Sequence, residues 1–464
     1  MNKKGFVLST YVYILLVFFL LLLGTMLTVL NNSKLLSNKL KEQSGSTSGL
    51  LDNEYSFILL GDKEIIIPKD SKYEEPGYIA KTTKGVDIST HVSVIGNIDT
   101  SVTNEYTLTY KITYNGISKV LKRIVNVIDN VASNYIESLY KLKRVGNGLV
   151  QTTVEYNGVS YNAGLRYTGT NDAVKNQVYF NCEPIDGTNA YGTENYDYAN
   201  NCEIWRIIGV FEVEDENGDK AQKLKIINTN STFQASWDSS DSTINSGKGI
   251  NQWGESGEYK GADLMQLLNG YYINKPNSEC KYNTAKGQSG FAKTCAKESL
   301  VAAKMKPLTN VALGMATSVV WDTYAVNSPN SGSAESTYAS SAYLQEKGIS
   351  TQLTGSSVCI STGGDYCNDG ITRTTSWIGL VGLMSVSDIE YANGWLYKGT
   401  ANYPWTISPV TSVSYAYFLL ISNSSSVSFT DAYGARGVWP ALYLDSNVQI
   451  IGGNGDTTPY KLKI

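Results

Sequence analysis

One histidine, His91, stands in a chain of 464 residues. A Ser-His-Asp or Cys-His triad needs an imidazole beside its nucleophile, and zinc sites draw on several Cys, His or carboxylate ligands at short spacing. His91 has no second histidine to work with and reads as a structural side chain in a strand-rich stretch. The chain also lacks an HExxH helix, a Walker loop, a serine nucleophile elbow and any CxxC. Ser138 and Lys141 have a Ser/Lys spacing by chance, inside a connecting segment. No carboxylate pair stands out for glycoside cleavage. We therefore expect no catalytic residue, no cofactor and no metal site.

Charge is scarce as well. Asp, Glu, Lys and Arg make up 17% of the chain, against about 25% in an average soluble domain. The formal net charge is −4, so no basic surface points to nucleic acid as a partner. Ser, Thr, Asn, Gly and 33 tyrosines supply the polarity instead. Two readings stand. Rings among small polar groups suit a binding face, and Tyr and Thr also suit the outer surface of β-strands.

Long apolar runs are limited to one. Phe6 to Leu30 is 25 residues without a charge. As a helix it reaches roughly 37 Å, enough to cross a bilayer core of about 30 Å. No small-x-small cleavage site follows it, so it is expected to stay as an anchor. Lys34, Lys39 and Lys41 balance Lys3 and Lys4, so the positive-inside rule does not choose between the two orientations. The cysteines decide the orientation. Cys182, Cys202, Cys280, Cys295, Cys359 and Cys367 all lie in the last two thirds of the chain. Sequential pairing would close three short surface loops, and disulfides belong to an oxidising compartment. The expected topology is a single pass, N-terminus inside and bulk extracellular, with residues 6–30 in the membrane.

Lys4-Gly5-Phe6 ahead of this run resembles the class III-type start of type IV prepilins and pseudopilins. The resemblance implies peptidase cleavage between Gly5 and Phe6. Those families carry Glu at the fifth mature position, which is Thr10 here, and a plain signal anchor is the simpler alternative. Residues 1–42 are thus read as the anchor helix and 43–54 as a Ser/Gly linker.

From 55 to 129 the pattern changes to short β-branched or aromatic runs separated by turn residues, which predicts an all-β sandwich. Gly61-Asp62, the stretch Tyr73 to Tyr78, Gly96 and the run Tyr106 to Tyr110 resemble the bacterial immunoglobulin-like module of surface proteins and some pesticidal crystal proteins. Such modules act mainly as spacers. Val131 to Arg144 has helical apolar spacing, giving a connecting helix over 130–144.

Residues 145–464 form the expected head. Val150 to Tyr156, Val178 to Phe180, Trp205 to Phe211 and Leu224 to Ile227 read as strands. Asp215 to Asp219 lacks the full calcium-loop series and reads as a hairpin turn. Ala262 to Asn269, Thr309 to Tyr324 and Tyr338 to Lys347 read as helices. Trp377 to Met384 and Gly437 to Leu444 read as core strands. Blocks such as Leu165 to Gly169, Glu203 to Val210, Ser236-Trp237-Asp238, Gly382 to Asp388 and Gly437 to Val448 resemble an uncharacterised domain of Firmicutes surface proteins. The closing blocks are also similar to C-type-lectin-like folds, including formylglycine-generating-enzyme-like domains. That resemblance implies an α+β head with its ligand surface on the segment before the final strand. Tyr415, Tyr417, Tyr433 and Arg436 are the candidate contacts there. Formylglycine-generating enzymes use a reactive cysteine pair, but the loop between Cys359 and Cys367 is Gly-rich without a nearby base and reads as a structural disulfide.

The sequence thus predicts a multidomain chain: a transmembrane helix, an Ig-like sandwich, and an α+β lectin-like head that binds an extracellular glycan or protein. An envelope enzyme and a pilin-like structural subunit are the alternatives.

Overall fold

A computed structural model describes residues 54–142, 147–170, 174–238, 249–257, 260–274, 305–326, 335–350, 373–397, 403–410, 415–421 and 425–464. The anchor helix, the Gly5–Phe6 site and Cys280, Cys295, Cys359 and Cys367 lie outside them. No helix among the described residues is long and apolar enough to cross a membrane. The chain divides into two compact units. The first comprises the described residues up to Ile66, with Tyr73–Asp99 and Glu105–Asn126; the second comprises Ile67–Lys72, Thr100–Asn104 and Val127–Ile464.

The first unit is built from β1 (Tyr55–Leu59), β2 (Glu64–Pro68), β3 (Tyr78–Thr82), β4 (Val92–Ile95), β5 (Asn104–Tyr114) and β6 (Ile117–Ile128). β1 pairs with β3, and the other strands form a sheet in the order β2-β6-β5-β4. Asn115 and Gly116 join β5 to β6 with φ of 47° and 79°, the left-handed pair that a tight two-residue hairpin requires. Alternation along β1 and β5 sends Tyr55, Phe57, Leu108, Tyr110 and Ile112 into one core. His91 is exposed beside the Tyr114 ring, at 5.6 Å between centroids.

The second unit opens with α1 (Ala132–Lys141), β7 (Leu149–Tyr156), β8 (Val159–Tyr167), β9 (Gln177–Phe180), β10 (Glu203–Glu214), β11 (Lys220–Ile227) and β12 (Gln234–Ala235). Next come α2 (Asp263–Leu268), α3 (Asn310–Met315), β13 (Ala316–Thr317), β14 (Val319–Asp322) and α4 (Glu335–Glu346). It closes with β15 (Ser376–Gly379), β16 (Val381–Gly382), α5 (Val386–Ala392), β17 (Trp405–Pro409), β18 (Tyr415–Ile421), β19 (Ser425–Asp431), β20 (Arg436–Gly437), β21 (Ala441–Leu444), β22 (Gln449–Gly452) and β23 (Lys461–Lys463).

The central sheet runs β13-β21-β11-β10-β8-β7, with β16 also beside β21 and β9 beside β10. β10 is buried along Trp205, Ile207, Ile208 and Val210, as expected of a strand covered on both faces. The hairpin expected at Asp215 to Asp219 is present. The Asp215 carboxylate accepts the Asn217 and Asp219 amides at 2.8 and 3.0 Å. The segment Val438 to Leu444 is core.

Two elements differ from expectation. Thr309 to Tyr324 is not one helix. Thr309 caps a short α3 through the Ala312 amide, and the β-branched residues beyond take up β13 and β14 instead. Trp377 to Met384 is not one buried strand. It splits into β15, which pairs with β14, and β16, which pairs with β21, and Ile378 on β15 is 50% exposed.

The start and end of this unit are stitched together. The Ala132 amide donates to the Val448 carbonyl at 2.8 Å, and the Ile450 amide to that of Asn130 at 2.7 Å. Val178 on β9 forms a parallel bridge with Tyr460.

Candidate functional site

The four residues expected to bind ligand gather at the backbone level around one strand, β17. β17 pairs with β18, and β18 with β19, so that Tyr415 stands opposite Asp431 and Tyr417 opposite Phe429. Tyr433 lies in the turn just past β19, where the Gly434 amide donates to the Asp431 carbonyl at 3.0 Å. Arg436 lies on β20, opposite Ala235 of β12. Two indoles join these pieces. Trp237 Nε1 donates to the Thr406 carbonyl at 2.9 Å, and Trp405 Nε1 to the Ala235 carbonyl at 2.8 Å.

Tyr433 and Arg436 are half-buried rather than displayed. The Tyr433 carbonyl accepts the Ser236 hydroxyl at 2.8 Å, and Arg436 Nη1 donates to the Ala435 carbonyl at 2.8 Å. Burial lowers the Arg436 guanidinium pKa below its usual value. Among the described side chains of this region, Phe429 and Tyr403 are exposed rings, at 38% and 37%, and the sequence reading names neither.

A cluster of buried charges underlies β17. Register places Arg166 (β8), Gly209 (β10), Lys225 (β11) and Tyr443 (β21) in one row across the central sheet. Gly209 is required there, since a Cβ would come within 2.3 Å of the Leu165 carbonyl oxygen. Arg166 Nη1 and Lys225 Nζ converge on the two oxygens of Asp388, at 2.8 and 2.6 Å. Asp388 also closes a capping box at the start of α5. It accepts the Ser385 amide at 3.0 Å while Ser385 Oγ accepts the Asp388 amide at 3.2 Å. Burial alone would raise the Asp388 carboxyl, but Lys225 and Arg166 hold it well below the usual carboxylate range.

The neighbouring carboxylate behaves in the opposite way. Glu346, at the end of α4, accepts the Ser408 hydroxyl at 2.8 Å and the Ser387 amide at 3.2 Å. Its partners are neutral, and burial raises its pKa, with Asp388 adding to the shift. These groups enclose a cavity of about 80 Å³, room for a few waters. Both cations already cover aromatic faces. Arg166 lies 4.5 Å from the Phe211 ring centre and 4.8 Å from that of Tyr391. Lys225 lies 5.0 Å from that of Trp321. The cluster is a self-satisfied clamp: it fixes α4 and α5 to the sheet and, through Ser408, holds β17, the strand that pairs with the hairpin's β18.

The Cys182–Cys202 bond expected from the sequence is formed, with S–S of 2.07 Å. It joins the end of β9 to the start of β10. No group of three or more potential metal ligands occurs among the described residues.

With this geometry in view, the first unit can be placed. Residues 57–127 match the family model for "Bacterial surface protein, Ig-like domain". The surface-type Ig-like domain therefore spans β1 to most of β6. No curated protein matches the chain significantly. Among solved structures, the lipoprotein BT2262 from Bacteroides thetaiotaomicron is similar at 18% identity, over 39% of this chain and 76% of that one, with a TM-score of 0.17. The CBM51-2 and INT domains from Clostridium perfringens ZmpB are similar at 10% identity, over 40% of this chain and 33% of that one, with a TM-score of 0.14. At these scores neither likeness carries an argument about fold or activity.

Proposed function

We propose that the protein is a membrane-anchored bacterial surface protein. Its Ig-like domain serves as the stalk of an extracellular, lectin-like recognition head, and the head engages a glycan or protein ligand. The observation that carries this reading is the surface-protein Ig-like match at 57–127, which follows the uncharged run Phe6 to Leu30. The Cys182–Cys202 disulfide supports export to an oxidising compartment. The hairpin β18–β19 and the turn at Tyr433 supply the recognition face, with Phe429 as an exposed ring and β17 as the anchored strand beside the hairpin.

The test has two stages. An epitope tag placed after Ile464 should be reached by antibody on intact cells; staining only after permeabilisation would end the display reading. Displaying cells are then applied to glycan and surface-protein arrays. Retention should fall when Phe429→Ala, Tyr415→Ala and Tyr417→Ala are combined, and no retention above cells lacking the chain would end the recognition reading.

A further inference from the structure

One backbone position in the head breaks a rule that the others keep. Among the described residues, seven other than glycine have φ in the left-handed region. Six are Asn or Asp, and the seventh is Tyr403, at φ 45°. Asn and Asp tolerate this conformation because a short polar side chain can hydrogen-bond locally. A tyrosine has no such help, and for a bulky residue the conformation is a true outlier. Pro404 follows it, and a residue ahead of proline is normally driven to extended backbone. Strain of this sort persists only where the surroundings over-determine it.

The surroundings here are firm. Pro404 is buried, and so is Trp405, the first residue of β17. The Trp405 indole is fixed to the Ala235 carbonyl, and Ala235 stands opposite Arg436 on β20. Tyr403 is thereby brought beside Arg436: burial lowers the guanidinium pKa, and the Tyr403 phenol works against that shift. The ring so held is not sunk in the core, since Tyr403 is 37% exposed. A backbone strained to keep a large ring in contact with water is not what folding alone selects. A ring fixed at the surface is a stacking platform. Its face is apolar and electron-rich, while its hydroxyl and the neighbouring guanidinium are polar. A sugar ring has the matching design, with C–H bonds gathered on one face and hydroxyls around the rim. A protein partner would call for several anchors packed together in one buried patch, and Tyr403 is a single ring at a strand end.

We infer that Tyr403 is a sugar-binding residue, its ring stacking on a pyranose at the start of β17, beside Arg436. The inference rests on reading the second unit as a recognition head. It adds a contact outside the hairpin and selects a glycan over a protein as the ligand.

The experiment applies displaying cells to an array of pyranose-terminated oligosaccharides and follows the melting of the full chain in detergent in parallel. Tyr403→Asn suits the left-handed conformation and removes the ring. It should cut retention by about tenfold and leave the head's melting temperature the same or higher, by up to about 4 °C, because the strain is relieved. Tyr403→Phe keeps the ring and should stay within about threefold of the wild type. Undiminished retention of Tyr403→Asn, or a loss in Tyr403→Phe as large as in Tyr403→Asn, would overturn the stacking role. A fall in the melting temperature of Tyr403→Asn would overturn it too, by showing that the ring is a packing element. Retention of the wild type on a surface-protein array alone would overturn the choice of a sugar and leave the recognition role standing. No wild-type retention on either array would end both.

Discussion

Each unit hides an arginine in its interior, and the two are held differently. Arg123 of the Ig-like unit is fully buried. Its Nη2 donates to the Leu60 and Gly77 carbonyls at 2.7 and 3.2 Å and lies 3.3 Å from Glu75, whose side chain is 31% exposed. Arg166 of the head faces an Asp388 that is itself buried and shared with Lys225. The first arginine is a pin between loops, leaning on backbone oxygens and a carboxylate in touch with water. The second belongs to a triad in which every member depends on the others. A buried ion pair contributes little over an apolar replacement, yet removing one partner leaves a stranded charge. The two units should therefore respond unequally to similar substitutions.

The largest effect is expected from Asp388→Ala, which strands two buried cations. It should lower the stability of the head by about 3–5 kcal/mol, read as a shift of the head's denaturant transition with the Ig-like transition unmoved. Equal shifts in both would erase the contrast. Replacing Cys182 and Cys202 by Ser opens a loop with a sequence separation of 20 and should cost the head about 3 kcal/mol; here a reducing agent should mimic the double mutant. Arg123→Met removes a charge together with its carbonyl bonds, and a loss of about 1–2 kcal/mol in the Ig-like transition is expected. Glu75→Gln, at a partly solvated site, should cost about 1 kcal/mol or less.

Acidity sharpens the comparison. Burial would raise the Glu75 carboxyl, but hydrogen bonds from Tyr110, Tyr73 and the Gly77 amide, with Arg123, hold it below its usual value. Its stabilising contribution is present above the unfolded pKa of about 4 and is lost as pH falls through the lower folded value. Asp388 has the same sign. Glu346 has the reverse. Its raised folded pKa makes its contribution greatest below about pH 4, and that contribution is lost as pH rises through the folded value. Glu346→Gln should thus gain relative stability as pH increases from about 5 to 8. An unchanged pH slope in that variant would show that Glu346 stays ionised throughout.

What is legible in the sequence follows from the range of each interaction. Strands in the first unit announce themselves by alternation, as in Tyr55-x-Phe57 and Leu108-x-Tyr110-x-Ile112, and they follow one another closely along the chain. Cys182 and Cys202 are close enough in sequence for the simplest pairing to hold. Asp388 looks like an ordinary first-turn helix cap. Nothing near it signals that Arg166, 222 residues away, ends on the same carboxylate, because register across β8, β10 and β11 is a property of the assembled sheet. The Tyr433 and Arg436 assignments come from the lectin-like resemblance, which names a segment and not which of its side chains are half-buried.

The stitching of Asn130 and Ala132 to Val448 and Ile450 bears on how the head comes into being. Its opening helix receives a partner strand only after more than three hundred further residues have been made. A chain emerging in order from a ribosome or an export channel must hold this helix in waiting, and the domain can shut only when its tail arrives. Ribosome-stalled chains ending before Val448 should stay sensitive to protease across the head, whereas the Ig-like module, whose strands are all synthesised by then, should already resist digestion.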